Sequence, residues 1–205
     1  MIDAKLQVSA QKVETNYAPS VASLIKATTT IIPGCDVAAV LDSDTSGLGI
    51  RSKDIESVIW SHNHFDHIGD ITTFPSTTEL VVGPGVATAS WPGWPLVQEA
   101  KLLESNRHRR QVREIDFDQD LCFGNFKAFD FFSDGSFYLL DAPGHATASE
   151  TIRKIQELDA DDHVFVIIAH DVSLRSENAL LPGYYKWMDG ERFEESHALA
   201  FLQRL

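Results

Sequence analysis

The sequence predicts an α/β protein, and three observations carry that expectation. Apolar, strand-like runs such as Val58-Ile59-Trp60, Glu79-Leu80-Val81-Val82 and Phe137-Tyr138-Leu139-Leu140 stop abruptly at a polar or glycine position and give way to loop and helix patterns. The polar residues able to do chemistry gather where those strands end, as they do in open α/β sheets. With 205 residues, 43% of them hydrophobic, the chain can bury a core and its length gives no reason for a split, so residues 1–205 are expected to form one domain.

Taken in order, the chain opens with a weak strand over Lys5 to Val8. Pro19 then starts a helix, which Val21, Leu24, Ile25 and the run Thr28 to Ile32 carry up to Pro33-Gly34. A second short helix covers Asp36 to Leu41, stopped by the loop from Asp42 to Gly47. Arg51 to Asp54 lead into the strand Val58 to Trp60. Glu79 to Val82 is closed by Gly83-Pro84-Gly85, and Phe137 to Leu140 ends at Asp141. Thr147-x-x-Glu150 reads as a capping box before a helix whose apolar face is Ile152, Ile155 and Leu158. A turn over Asp159 to Asp162 leads into the apolar strand Val164 to Ile168, which ends in Ala169-His170-Asp171.

The segment Ser61-His62-Asn63-His64-Phe65-Asp66-His67-Ile68-Gly69-Asp70 gathers His62, His64, Asp66 and His67 within six positions, directly after a strand. Imidazole and carboxylate together suit a borderline cation, Zn²⁺ first, with Fe and Mn behind it. A strand-like i, i+2 step sets His62 and His64 on one side and lets Asp66 and His67 turn toward a second point, so one or two metals per chain are expected. A solvated, His-rich loop is the competing reading of the same residues. Asp141-Ala142-Pro143-Gly144-His145 puts a further His just past a strand and a turn, and His170 follows the last apolar strand. Taken alone, either could be structural.

The pattern His62-x-His64-x-Asp66-His67 after a buried strand resembles the signature of the metallo-β-lactamase-fold hydrolases, complete at all four positions. Ser61, Gly69-Asp70 and the Asp141 to His145 segment look most like the lactonase-type branch, which includes N-acyl homoserine lactonases and fungal relatives. The resemblance implies an αβ/βα sandwich with His62, His64 and His145 around a first metal and Asp66, His67 and His170 around a second. Members with redox di-iron centres carry Glu where His64 stands, so His64 favours hydrolysis. The implied chemistry is attack of a metal-activated hydroxide on a strained or activated carbonyl, with Asp66 as the catalytic group that passes a proton to the leaving alkoxide. The implied substrate is a small lactone or related acyl compound, with thioesters and lactams behind it.

Two departures accompany the match. Family members usually begin with several strands, whereas only Lys5 to Val8 is strand-like before the two helices, so the N-terminal sheet is expected to be incomplete. Between His145 and His170 the family inserts a strand whose terminal Asp bridges the metals, and here one helix and one strand fill that interval. Asp159, Asp161 and Asp162 are the carboxylates of the right type. A five-residue strand holds them about 15 Å from the His170 end at roughly 3.3 Å per residue. The chain is therefore expected to be a shortened family member. Its rival readings are a catalytically impaired relative with at most one metal and a thioesterase built on the same site.

A formal charge of −13 repels polyphosphate and argues against a nucleic-acid partner. Arg107-His108-Arg109-Arg110 with Arg113 reads as a solvated helix face, with carboxylate or phosphate docking as the alternative. No stretch is long and apolar enough to span a bilayer and no signal-peptide pattern opens the chain, so a cytoplasmic setting without a membrane partner is expected. Cys35 and Cys122 make no disulfide framework and are expected to be core or loop thiols. His108, His163 and His197 read as surface residues; Trp91-Pro92-Gly93-Trp94-Pro95 either walls an acyl pocket or packs as a loop; Gly183 to Trp187 reads as core or interface. The oligomeric state is not indicated.

A cation that binds only the folded chain stabilises it by mass action. EDTA is expected to lower Tm and added Zn²⁺ to raise it, read by differential scanning fluorimetry. A Tm indifferent to both would remove the metal.

Overall fold

The computed structural model describes residues 12–29, 36–43, 49–117, 120–142, 148–160, 164–167 and 201–204. The expected strand over Lys5 to Val8, the capping Thr147, Asp161, Asp162, His163, His197, Cys35 and Gly183 to Trp187 lie outside them, while the helix expected to run up to Pro33-Gly34 stops earlier, at Thr28, because Thr29 is already extended. The chain divides into two compact units, Met1–Ile115 and Asp116–Leu205.

In the first unit, α1 (Val13–Asn16) is a single turn that sequence pattern did not announce, and its Val13 is fully buried. α2 (Pro19–Thr28) starts with Pro at the first turn, where the missing N–H costs no hydrogen bond, and buries Ala22 and Ile25. Leu24, expected on the apolar face, is 53% exposed, because the buried stripe runs through positions 22 and 25. α3 (Val37–Asp42) is capped by the Asp36 carboxylate, which accepts from Ala39 N at 2.8 Å. Asp42 in turn accepts from the backbone N and the hydroxyl of Ser52, both at 2.7 Å, so the segment Ser52–Asp54 forms a 3-10 turn.

Among the described residues, β1 (Ser57–Ile59), β2 (Glu79–Val82) and β3 (Val112–Glu114) form a parallel sheet in the order β1-β2-β3. β2 is central, and Leu80, Val81 and Val82 are all buried, the continuous apolar run expected of a parallel strand covered on both faces. One core joins Val13, Tyr17 and Ile25 to Trp60, Ile68, Leu80 and Trp91. α4 (Phe65–Ile68) and α5 (Val86–Ser90) are short, and each follows a strand.

The basic run is not a helix face. Beyond a 3-10 turn at Glu104–Asn106 the chain turns at Arg109, whose φ is 58°, and enters β3. Arg110 spreads its guanidinium over backbone carbonyls: Nη1 donates to Pro75 at 3.2 Å and Thr78 at 2.7 Å, Nη2 to Ile71 at 3.1 Å and Phe74 at 3.4 Å. Burial lowers its proton affinity, and the Asp70 carboxylate works against that. Arg113 pairs with Glu79 at 3.1 Å, and Glu114 accepts from Gly85 N and Ala87 N at 2.8 and 2.7 Å, closing the start of α5. Fixed hydrogen bonds and a strand register hold Arg110 and Arg113, while His108 and Arg109 stay exposed, so the run is solvated only in part.

The Trp91 to Pro95 loop packs as structure. Trp91 is buried, donates from Nε1 to the Leu103 carbonyl at 3.1 Å and stacks on Trp60 with ring centres 6.1 Å apart. A Cβ on Gly93 would lie 2.6 Å from Glu104 N and 2.7 Å from the Leu102 oxygen, so the backbone approach there requires glycine.

In the second unit, β4 (Cys122–Phe123) and β5 (Phe126–Asp130) make a hairpin through Gly124-Asn125, and β6 (Phe137–Leu140) pairs with β5. β7 (Val164–Ile167) and β8 (Phe201–Arg204) complete a described antiparallel order β4-β5-β6-β8-β7. α6 (Ala148–Asp159) packs Ile155 and Leu158 against Phe126, Ala128, Tyr138 and Leu140. Cys122 is an exposed strand thiol, not a core one. No described helix is long and apolar enough to cross a membrane.

Arg110→Ala takes a donor from four carbonyls; Ile71 and Pro75 keep Phe74 N and Thr78 N as donors, and each partly buried acceptor left with none costs about 1–3 kcal/mol. The variant is expected to lose about 2–3 kcal/mol of stability, with Arg110→Lys recovering less than half because an ammonium lacks the planar fork. Urea unfolding midpoints measure both.

Candidate metal centre

The ligand segment leaves the sheet at Trp60, whose N–H donates to the Val81 carbonyl at 3.0 Å and whose ring is held by Trp91. From that anchor the chain bends through Ser61 to Asn63 and starts α4 at its N-cap, His64. His67 N closes the turn onto the His64 carbonyl at 3.0 Å. Gly69, with φ 55° and ψ −159°, ends it in a conformation that a side chain would strain. His62 and His64 therefore stand on a bend and a helix cap, and the expected strand-like i, i+2 step is absent. A backbone that must turn into α4 cannot keep the extended pitch.

The bend brings the imidazole rings together. The His62 ring centre lies 4.5 Å from that of His64 and 4.1 Å from that of His67. Thus His67 meets His62 directly, where the spacing had pointed to separate groupings. Ser61 Oγ lies between two rings, 3.3 Å from His62 Nδ1 and 3.4 Å from His67 Nδ1. Asp66 Oδ2 is 3.3 Å from His67 Nε2, and the His67 side chain is 1% exposed against 36% for Asp66. His64 is exposed and His62 partly so.

Residues that sequence pattern did not single out hold this segment from the N-terminal side. Tyr17 OH donates to the Phe65 carbonyl at 3.2 Å, and its ring meets Phe65 edge-on at 6.5 Å. Burial, then the carboxylates of Asp70 and Asp66, push the Tyr17 phenol far above its ordinary range, so it acts as a donor at physiological pH. Asn16 Nδ2 donates to Asp70 Oδ2 at 2.9 Å, while Asp70 Oδ1 caps the 3-10 turn Ile71–Thr73 through Thr72 N at 3.0 Å. The available signal was Asp70-Ile-Thr72, an acidic cap before a turn.

Imidazole and carboxylate are the donor types that Zn²⁺, Fe and Mn take, so the chemistry of the set fits such an ion. Among the described residues, no group of three or more His, Cys, Asp or Glu has donors placed to hold one. His145 and His170, the remaining ligands implied by resemblance, lie outside the described residues. Asp159 ends α6 and β7 follows.

The family model described as "Metallo-beta-lactamase superfamily" matches residues 33–170. The chain is 42% identical over 249 positions to the metallo-hydrolase mfmC of Annulohypoxylon moriforme, covering 82% of this chain and 66% of that protein. An alignment of that length exceeds the 205 residues present, so stretches of the relative have no counterpart here. It is 41% identical over 140 positions to the gamma-lactamase MBL2 of Gibberella moniliformis, covering 67% of this chain and 56% of that protein. It is 27% identical over 109 positions to the N-acyl homoserine lactonase AttM of Azorhizobium caulinodans, covering 53% of this chain and 39% of that protein. The chain thus spans less than two thirds of the length of each of these relatives. No solved structure matches it. A family match across residues 33–170, with the His62 to His67 cluster following the first strand of a parallel sheet, gives the conclusion that this chain belongs to the metallo-beta-lactamase superfamily.

Proposed function

We propose that this chain is a metal-dependent hydrolase of a small lactone or a related cyclic amide or ester, acting in the cytoplasm as one domain without nucleic-acid or membrane partners. The observation that carries the reading is the bend in which the rings of His62, His64 and His67 crowd together beside the Asp66 carboxylate. The relatives named gamma-lactamase and N-acyl homoserine lactonase support a cyclic substrate with a scissile carbonyl. His62, His64 and His145 would hold one ion, and Asp66, His67 and His170 a second, with Zn²⁺ the first choice and Fe or Mn behind it. A bound cation would supply water activation near neutral pH and polarisation of the carbonyl.

The protein's own groups divide the remaining work. Ser61 sits between the Nδ1 atoms of His62 and His67 and restricts how those rings rotate. Asp66 is the acid–base group, accepting the proton that the attacking water gives up and handing it to the leaving alkoxide or amine. To ligate, its carboxylate turns away from His67 Nε2, and its partly exposed position leaves room for that movement.

One finding favours a second reading, a relative with at most one tightly held ion and little turnover. The described residues hold no convergent set of three donors, and the alignment to the metallo-hydrolase runs past stretches this chain lacks. Metal content together with hydrolysis of a lactone panel separates the two: bound Zn²⁺ with turnover supports the enzyme, one ion or none without turnover the impaired relative.

If the enzyme reading holds, Asp66→Ala lowers kcat/KM for a lactone by about 100-fold or more, the usual range for a lost acid–base group. His64→Ala, which loses a ligand, is expected to do at least as much. Full turnover by Asp66→Ala would end the role given to that residue.

Metal occupancy is expected to be unequal. Two cations about 3.5–4 Å apart repel strongly unless anions lie between them, and no Asp bridge stands among the described residues. Zn²⁺ titration should therefore give one tight step, at His62, His64 and His145, and a much weaker one. Two tight, equivalent steps would overturn this, as would a crystal structure with Asp159, Asp161 or Asp162 bridging two ions.

A further inference from the structure

We infer that Asn16 and Tyr17 are positioning residues that set the Asp66–His67 half of the ligand segment for metal binding, an inference that rests on the metal reading proposed above. These neighbours, where α1 ends, grip the segment on both sides of the donor pair. Tyr17 OH holds the Phe65 carbonyl, one residue before Asp66, and Asn16 Nδ2 holds Asp70 Oδ2, three residues after His67. The four-residue α4 between these points is far too short to be stable by itself, and Gly69 behind it is the joint about which it could swing. Burial makes the grip stiff: Tyr17 is 2% exposed and its ring closes edge-on against Phe65. His62 and His64 sit nearer the other anchor, the Trp60 hydrogen bond to Val81 and the Trp60–Trp91 stack. The two halves of the segment are thus held by different parts of the first unit. Outer groups of this kind restrict the donor atoms to a narrow range of positions, and their loss typically weakens metal binding about 10–100-fold.

The test uses the full chain and Zn²⁺ alone. Tyr17→Phe removes one oxygen and keeps the ring, Asn16→Ala removes the hold on Asp70, and the double variant removes both. Zn²⁺ affinity is measured by competition with a chromophoric chelator, and Tm is recorded for each metal-free protein. Leu41→Ala, in a separate cluster of the first unit with Ala38 and Phe74, serves as the comparison for general destabilisation. The expected result is a fall in affinity of about 10–100-fold in the double variant and a smaller fall in each single one. Leu41→Ala should lower Tm without moving the affinity. Should the double variant fail to fold, Tyr17→Phe decides by itself. Variants that bind Zn²⁺ as tightly as the parent overturn the inference while leaving the metal reading intact, and so does a loss of affinity matched by Leu41→Ala at equal loss of Tm. A parent chain that takes up no Zn²⁺ overturns the metal reading, and this inference falls with it.

Discussion

The path of the chain into the candidate centre depends on how Trp60 is fixed. Its indole lies 1% exposed against Trp91, and its backbone continues the β1–β2 ladder by one bond after β1 itself has ended. An offset aromatic pair of this kind adds about 0.5–1.5 kcal/mol beyond the area it buries. Its geometric effect matters more. The next residue begins a tight bend, so the last rigid point before three histidines is the stacked indole. Trp91 is itself tied to the Leu103 carbonyl, and the loop carrying it needs a bare glycine at Gly93. A chain of small fits therefore reaches from residue 104 back to the ligands.

A second theme of the first unit is the use of charged side chains to satisfy backbone. Arg110 serves four carbonyls, Glu114 two amides and Glu104 the amide of Gly93. The Gly93 N–H, followed by Arg107, holds the Glu104 carboxyl below its usual range. Loops this irregular leave many N–H and C=O groups outside any ladder, and such groups must find partners when sheltered from water. Long charged side chains can reach them while their stems cover apolar surface.

That use accounts for what could and could not be seen in the sequence. The donor cluster was legible because three imidazoles and a carboxylate crowded behind an apolar strand suit a cation far better than they suit packing, and α3 was legible, one residue early at each end, from the polar loop that stops it. β3 was not, because Arg113 and Glu114 look like surface residues until Glu79 and the start of α5 are known to lie beside them. The β4–β5 hairpin had a signal, Gly124-Asn125 followed by the alternation of buried Phe126 and Ala128 with exposed Lys127, that strand length alone hid. The ring contact between His62 and His67 was out of reach because it follows from the bend and not from spacing. Tyr17 and Asn16 act across 48 and 54 positions, a separation at which local pattern carries no information.

The contacts that shape the ligand segment draw on Val13 through Glu114, all inside the first compact unit. Domains generally fold as units, with N-terminal parts first as a chain is made. The anchors named above, Asn16, Tyr17, Trp60, Val81 and Trp91, are thus all synthesised before the codon for His145 is read. A nascent chain whose first 115 residues have emerged from the ribosome would already carry these anchors, so the segment can take its shape ahead of the rest of the protein.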